Sequence, residues 1–227
     1  MHPSIASTPS DKTSLASNSD SPSGVSSIDP IAIFQQTIDE HMHAVQQLAL
    51  QREVLGSIAL RMIQAIRSSG KIVWCGNGGS AAECQHLAAE FVGRFRRDRR
   101  GLASIALTTD TSVLTSIGND YGFVEIFRRQ VEALCTPRDV VVGLSTSGNS
   151  QNVCTALAEA KRIGAFTICF TGMDGGEIVA VGDVALRVAS KNTATIQEIH
   201  LLAGHILCDW VETAVCLKVA ADGVTNE

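Results

Sequence analysis

Aromatic residues are scarce in this 227-residue chain, at 4% of the total, with two tryptophans and one tyrosine. A core without them must be aliphatic and small-residue, and a hydrophobic share of 45% is enough to fill one. Proline is also rare, 5 residues against 19 glycines, so tight turns and close backbone approaches rest on glycine. Surplus positive charge is missing. A net charge of −5 gives no electrostatic ground for nucleic acid, whose binders carry a basic footprint. CxxC pairs are absent, and Cys75, Cys84, Cys135, Cys154, Cys169, Cys208 and Cys216 lie mostly inside apolar runs. That pattern suits small buried hydrophobes in a reducing cytoplasm better than a disulfide framework. No apolar run approaches the roughly 18 residues of a membrane span, and no hydrophobic secretory segment opens the chain. These absences predict a cytoplasmic protein with neither membrane nor nucleic acid as partner.

The length favours one α/β domain over two. Residues 1–28 are dominated by Ser, Thr, Pro, Asp and Gly. They hold almost nothing to bury, which predicts a disordered tail and places the folded domain in residues 29–227. From there Ile31, Phe34, Ile38, Met42, Val45, Leu48 and Leu55 recur near helical spacing, and a second helical stretch runs from Ile58 to Ile66. The apolar face of the first helix exceeds what its own domain would cover, which predicts a helix between subunits. His41 and His43 read as its surface or interface residues. Strands and helices then alternate. Strands are expected at 71–75, 102–107, 139–144, 165–170 and 184–188, and helices at 80–91, 111–117, 150–163 and about 195–220. This repetition predicts a parallel sheet with helices on both faces and ligands at the carboxyl ends of the strands. The basic run Arg94, Arg96, Arg97, Arg99 and Arg100 reads as a solvated helix end and loop, with Arg94 alone a candidate for holding an anion.

Two strand ends carry loops suited to an oxyanion. In Cys75-Gly76-Asn77-Gly78-Gly79-Ser80, glycines let the backbone approach a ligand, and the following helix offers unpaired N–H groups and partial positive charge. In Leu144-Ser145-Thr146-Ser147-Gly148-Asn149-Ser150, four hydroxyls crowd a helix start. Capping accounts for Ser150 but not for Ser145, Thr146 and Ser147 together, so the cluster predicts a phosphate monoester site. Neither loop is a Walker A or a full dinucleotide motif, which disfavours a nucleotide enzyme. A second constellation is metal-like: His86 and Glu90, four apart, share one helix face. Gln197 and His205 on the last helix would stand about 12 Å apart along a regular axis. Either Gln197 belongs to an irregular first turn, or the two reach one metal from different subunits.

Taken with Gly118-Asn119-Asp120 and Ile196-Gln197-Glu198-Ile199-His200, these motifs closely resemble those of phosphoheptose isomerases, which are sugar-isomerase (SIS) domain proteins. The likeness runs in the same order over residues 31 to 220. It implies a Rossmann-like SIS domain with a central five-stranded parallel sheet in a three-layer sandwich, preceded by an oligomerisation helix. It further implies interconversion of sedoheptulose 7-phosphate and D-glycero-D-manno-heptose 7-phosphate through an enediol, in a homotetramer with interface sites and one zinc ion per subunit. Carried over by position, His86, Glu90, Gln197 and His205 match the zinc ligands, and Glu90 and His205 the acid–base pair. Ser145, Thr146, Ser147 and Ser150 match the phosphate loop. Asn77, Gly78, Gly79, Ser80, Glu90, Asn119, Asp120 and Gln197 match further substrate contacts. His200 has no assigned role and reads as a packed residue. The chain departs from the family at Thr195, where relatives commonly carry arginine; this removes a cation near the site and bears on substrate preference. Two other readings stand beside this one: an isomerase of another ketose phosphate, and a non-catalytic SIS protein assisting replication initiation. Relatives of the latter kind lack Glu and His at the positions of Glu90 and His205.

Overall fold

A computed structural model of the chain describes residues 28–223, with side chains to residue 217. The tail expected over residues 1–28 lies, apart from Ile28, outside the described residues. Five strands, β1 (Ile72–Gly76), β2 (Ser104–Ala106), β3 (Val140–Ser145), β4 (Phe166–Thr171) and β5 (Val184–Arg187), form one sheet in the order β2-β1-β3-β4-β5. Every pairing is parallel. Helices cover both faces, so β1 and β3 are buried along their whole length, as their largely apolar sequences require.

Successive strand residues point to opposite faces and so divide the core in two. Ile72, Trp74, Val140, Val142 and Leu144 pack with α1 (Pro30–Ala49), α2 (Arg52–Arg67), α3 (Gly79–Val92) and α8 (Thr193–Gly223). Val73, Cys75 and Val141 pack with α4 (Thr111–Tyr121), α5 (Arg128–Leu134), α6 (Gln151–Ile163) and α7 (Ile178–Val181). The result is the expected three-layer sandwich. All seven cysteines are free and five of them buried.

Helix α1 starts at Pro30, with the Asp29 carboxylate accepting from the Ile31 and Ala32 N–H groups. The apolar series expected to run through Leu55 is split: α1 ends at Ala49 and Leu55 belongs to α2. At that corner the Gln51 amide donates to the Arg187 carbonyl at 2.7 Å and accepts from the Arg187 N–H at 3.3 Å, tying the turn to the edge of the sheet. Helix α1 buries only Ala44 and Leu48, while Ile31 (75% exposed), Phe34 (62%) and Met42 (57%) face outward. Helix α8 holds a 25-residue stretch, Thr193–Leu217, long and apolar enough by composition to cross a membrane. Its Ile196, Ile199, Ala203, Leu207 and Val211 are buried against the sheet-side core, so its apolar character is that of a core helix.

Strand order reverses between β1 and β3. In register, Gly76 stands beside Leu144, so the two loops singled out in the sequence leave the sheet side by side at its topological switch point, where such folds bind ligands.

Candidate active site

Each loop runs into a helix whose first turn has no side-chain cap. Gly78 precedes α3, and Ser150 stands at the N-cap of α6 without making a cap bond. By contrast, Asp29 and Asp110 cap α1 and α4. Two uncapped helix starts at the switch point leave backbone N–H groups for an anion. The Ser150 hydroxyl is engaged elsewhere: Ser145 Oγ, on a residue 3% exposed, lies 2.9 Å from Ser150 Oγ. Thr146 is half-buried and Ser147 exposed, with Ser147 Oγ accepting the Asn149 N–H at 3.2 Å. The turn itself requires glycine. Gly148 has φ of 72°, and a Cβ there would stand 2.0 Å from the Gly175 carbonyl oxygen. A cavity of about 350 Å³ opens beside this loop, lined by Thr146, Ser147, Asn149, Gly176 and Lys191 among others. A larger cavity of about 540 Å³, with Arg61, Arg138 and Lys161 in its wall, lies near the opposite, amino ends of β3 and β4.

On the other side of β1, α3 and α8 bring His86, Glu90 and His205 together, with one ligand atom from each within 4.8 Å of the others. His86 Nε2 is 2.8 Å from His205 Nε2 and 3.4 Å from Glu90 Oε1. Phe95 stacks on the His205 ring at 5.4 Å between centroids. Burial, followed by the charge of His86, lowers the His205 pKa and favours the neutral imidazole that a metal ligand or base must be.

Gln197 sits in the regular part of α8, which excludes the irregular first turn. It lies eight residues before His205, about 12 Å along the axis, and its Nε2 is 3.5 Å from Ser80 Oγ. A Cβ on Gly79 would come within 2.5 Å of that amide, so the glycine makes room for it. Within one chain the Gln197 amide thus lies beside the β1 loop. Asn119 and Asp120 pair with each other at 2.8 Å at the exposed end of α4. His200 is fully buried against Phe170, with Nε2 3.3 Å from the Thr171 carbonyl, as a packed residue would be. His41 pairs with Glu198, joining α1 to α8.

Four arginines of the basic run, Arg94, Arg96, Arg97 and Arg100, are exposed as expected, and Arg99 is the exception. Arg96 and Arg97 pair with Asp209 at 3.2 and 2.8 Å. Arg99, its side chain 6% exposed, pairs with the fully buried Glu212 at 3.0 Å. Arg94 is exposed. Glu212 escaped sequence reasoning because its partners are backbone N–H groups more than a hundred residues away. Asn152 escaped it too: 3% exposed, its carboxamide is paired with that of Asn77. Its one sequence signal is a polar residue in the stripe Val153, Ala156, Leu157, Ala160 that α6 buries.

A profile of the SIS domain family matches residues 34–172. The chain is 50% identical over 185 residues to the phosphoheptose isomerase of Aquifex aeolicus, covering 81% of this chain and 95% of that one. Among solved structures, the phosphoheptose isomerase of Neisseria gonorrhoeae matches with a TM-score of 0.77 at 44% identity, over 82% of this chain and 100% of that one. That of Francisella tularensis matches with a TM-score of 0.79 at 33% identity, with the same coverage. With its five-stranded parallel sheet and paired loops, the chain belongs to the phosphoheptose isomerase family of SIS-domain proteins and is a phosphosugar isomerase.

Proposed function

We propose that the protein converts sedoheptulose 7-phosphate to D-glycero-D-manno-heptose 7-phosphate, in the cytoplasm, as a homotetramer with one zinc ion per subunit. The observation that carries this reading is the meeting of His86, Glu90 and His205 on the same two helices that frame the β1 loop.

The donor set fits zinc. Two imidazoles and a carboxylate are common zinc ligands, and their spacing suits bonds of about 2.0–2.2 Å to one ion. When bound, the ion supplies a Lewis acid that steadies the enediolate oxygens. The chain's own residues do the rest. Ser145, Thr146, Ser147 and Ser150 hold the phosphate, far from the reacting carbons, and this binding energy orients C1 and C2. A base takes the proton from C1 of the ketose and the electrons move onto the C2 oxygen. The C1 hydroxyl proton passes to the C2 oxygen, and an acid returns a proton to C2 as the carbonyl forms at C1. Glu90 and His205 are that pair. Asn77, Gly78, Gly79, Ser80, Asn119, Asp120 and Gln197 contact the sugar chain.

Gln197 joins the metal from a second copy, and two largely exposed surfaces support such an assembly. One is the outward apolar face of α1; the other is α4, which buries none of its residues in the described chain. Turnover of a panel of C5, C6 and C7 ketose phosphates, with and without chelator, tests the reading. The C7 ketose should react best and chelator should abolish the reaction. Preference for a C5 or C6 ketose, or indifference to chelator, would overturn the substrate or the metal assignment respectively.

A further inference from the structure

Asn77 and Asn152 lie 75 residues apart and exchange two hydrogen bonds. Each Nδ2–H donates to the other's Oδ1, both at 2.8 Å. A single bond would let the Asn77 amide pivot; a reciprocal pair fixes its plane as well as its position. Each amide uses one N–H and one carbonyl lone pair, so Asn77 keeps one of each for a ligand.

The direction of support follows from packing. Helix α6 is seated without this pair: Val153, Ala156, Leu157 and Ala160 are 0% exposed, and a Cβ on Gly143 of β3 would meet Val153 and Leu157 at 2.7 and 2.9 Å. The β1 loop has glycine on both sides of Asn77 and gains its side-chain anchor from α6. We infer that Asn152 is a positioning residue for the isomerisation, holding the Asn77 carboxamide in its working orientation between the two oxyanion loops. The inference rests on the reading of Asn77 as a substrate contact given above.

The test is a double-mutant cycle on the full-length protein: Asn77→Ala, Asn152→Ala and both together. kcat and KM are measured with sedoheptulose 7-phosphate, and melting temperature alongside. Each single change should lower kcat/KM by roughly 10- to 100-fold, the scale of a small misplacement in an active site. The double variant should fall within about 2-fold of the weaker single, because Asn152 acts only through Asn77. Losses that multiply would overturn the role, as would a lowered melting temperature with kcat/KM of the folded enzyme intact. Asn152→Asp covers the case in which the alanine variant does not fold. It keeps the shape and removes the donor to Asn77 Oδ1, and full activity in it would also overturn the inference. A wild type with no turnover on this substrate would sink the isomerisation reading itself, and the role of Asn152 with it.

Discussion

A lone hydroxyl is a modest ligand for an anion, and the proposal has Ser145, Thr146, Ser147 and Ser150 share one phosphate beside an uncapped helix start. Ser145→Ala combined with Ser147→Ala should therefore raise KM, with each lost bond to the charged phosphate costing about 1.5–3 kcal/mol. Steady-state kinetics decide it, and unchanged saturation would remove the phosphate from this loop. Two buried titrating groups make opposite predictions for stability. Burial holds His200 down to about 4, against the opposing contact with the Thr171 carbonyl. The stability it lends is complete above its unfolded value, about 6.5, and is lost as pH falls toward 4. Burial lifts Glu83 to about 7, with Ser80 opposing. Its contribution is complete below an unfolded value of about 4.3 and is lost as pH rises through 7. In melting-temperature profiles His200→Leu should flatten the acid limb, and Glu83→Gln the limb between about 4.3 and 7; curves parallel to wild type would contradict both. At this scale the motif residues were legible because their types and spacing are local. Asn152, Glu83 and Glu212 were not, because a single polar residue on an apolar helix face acquires meaning only from what the fold sets opposite it.

Helix α8 organises the site by holding the loop that follows α3. Glu212 accepts the N–H groups of Phe95, Arg96 and Arg97 at 3.0, 2.8 and 3.0 Å, and that loop carries Phe95 onto the His205 ring. Burial by itself would raise the Glu212 carboxyl; the three N–H groups and Arg99 outweigh it and hold it below the usual range. Breaking a buried charged set costs about 3–5 kcal/mol, so Glu212→Ala should lower the melting temperature by roughly 10 °C for a domain of this size. A shift smaller than about 2 °C would contradict the assignment. The long elements were legible because periodicity accumulates over several turns or a full buried run. Helices α5 and α7, at 7 and 4 residues, are too short for that. Strand β2 shrank from the expected 102–107 to three residues because only Ser104, Ile105 and Ala106 register with β1. The corner between α1 and α2 is tied down by Gln51 meeting Arg187, a contact that exists only once the sheet has formed.

At the scale of the whole molecule, the proposed assembly makes one chain an incomplete site. Alternation of strands and helices made the parallel sandwich legible, but which strand neighbours which, and what covers α1 and α4, are set by long-range packing that local pattern does not record. With Gln197 two helical turns from His205 and the outer face of α1 uncovered, sedimentation should find a tetramer at assay concentration; an active monomer would contradict the assembly. The account as a whole turns on proton transfer by Glu90 and His205. Glu90→Gln and His205→Asn should remain soluble oligomers that melt near wild type, apart from stabilisation lost with a bound metal. Their turnover should fall by about 10²-fold or more. The most direct measurement is incorporation of solvent deuterium at C1 or C2 of the sugar phosphate during turnover. Wild type should exchange that hydrogen through the enediol and both variants should lose the exchange, whereas a variant that keeps full exchange and full isomerisation would contradict the mechanism.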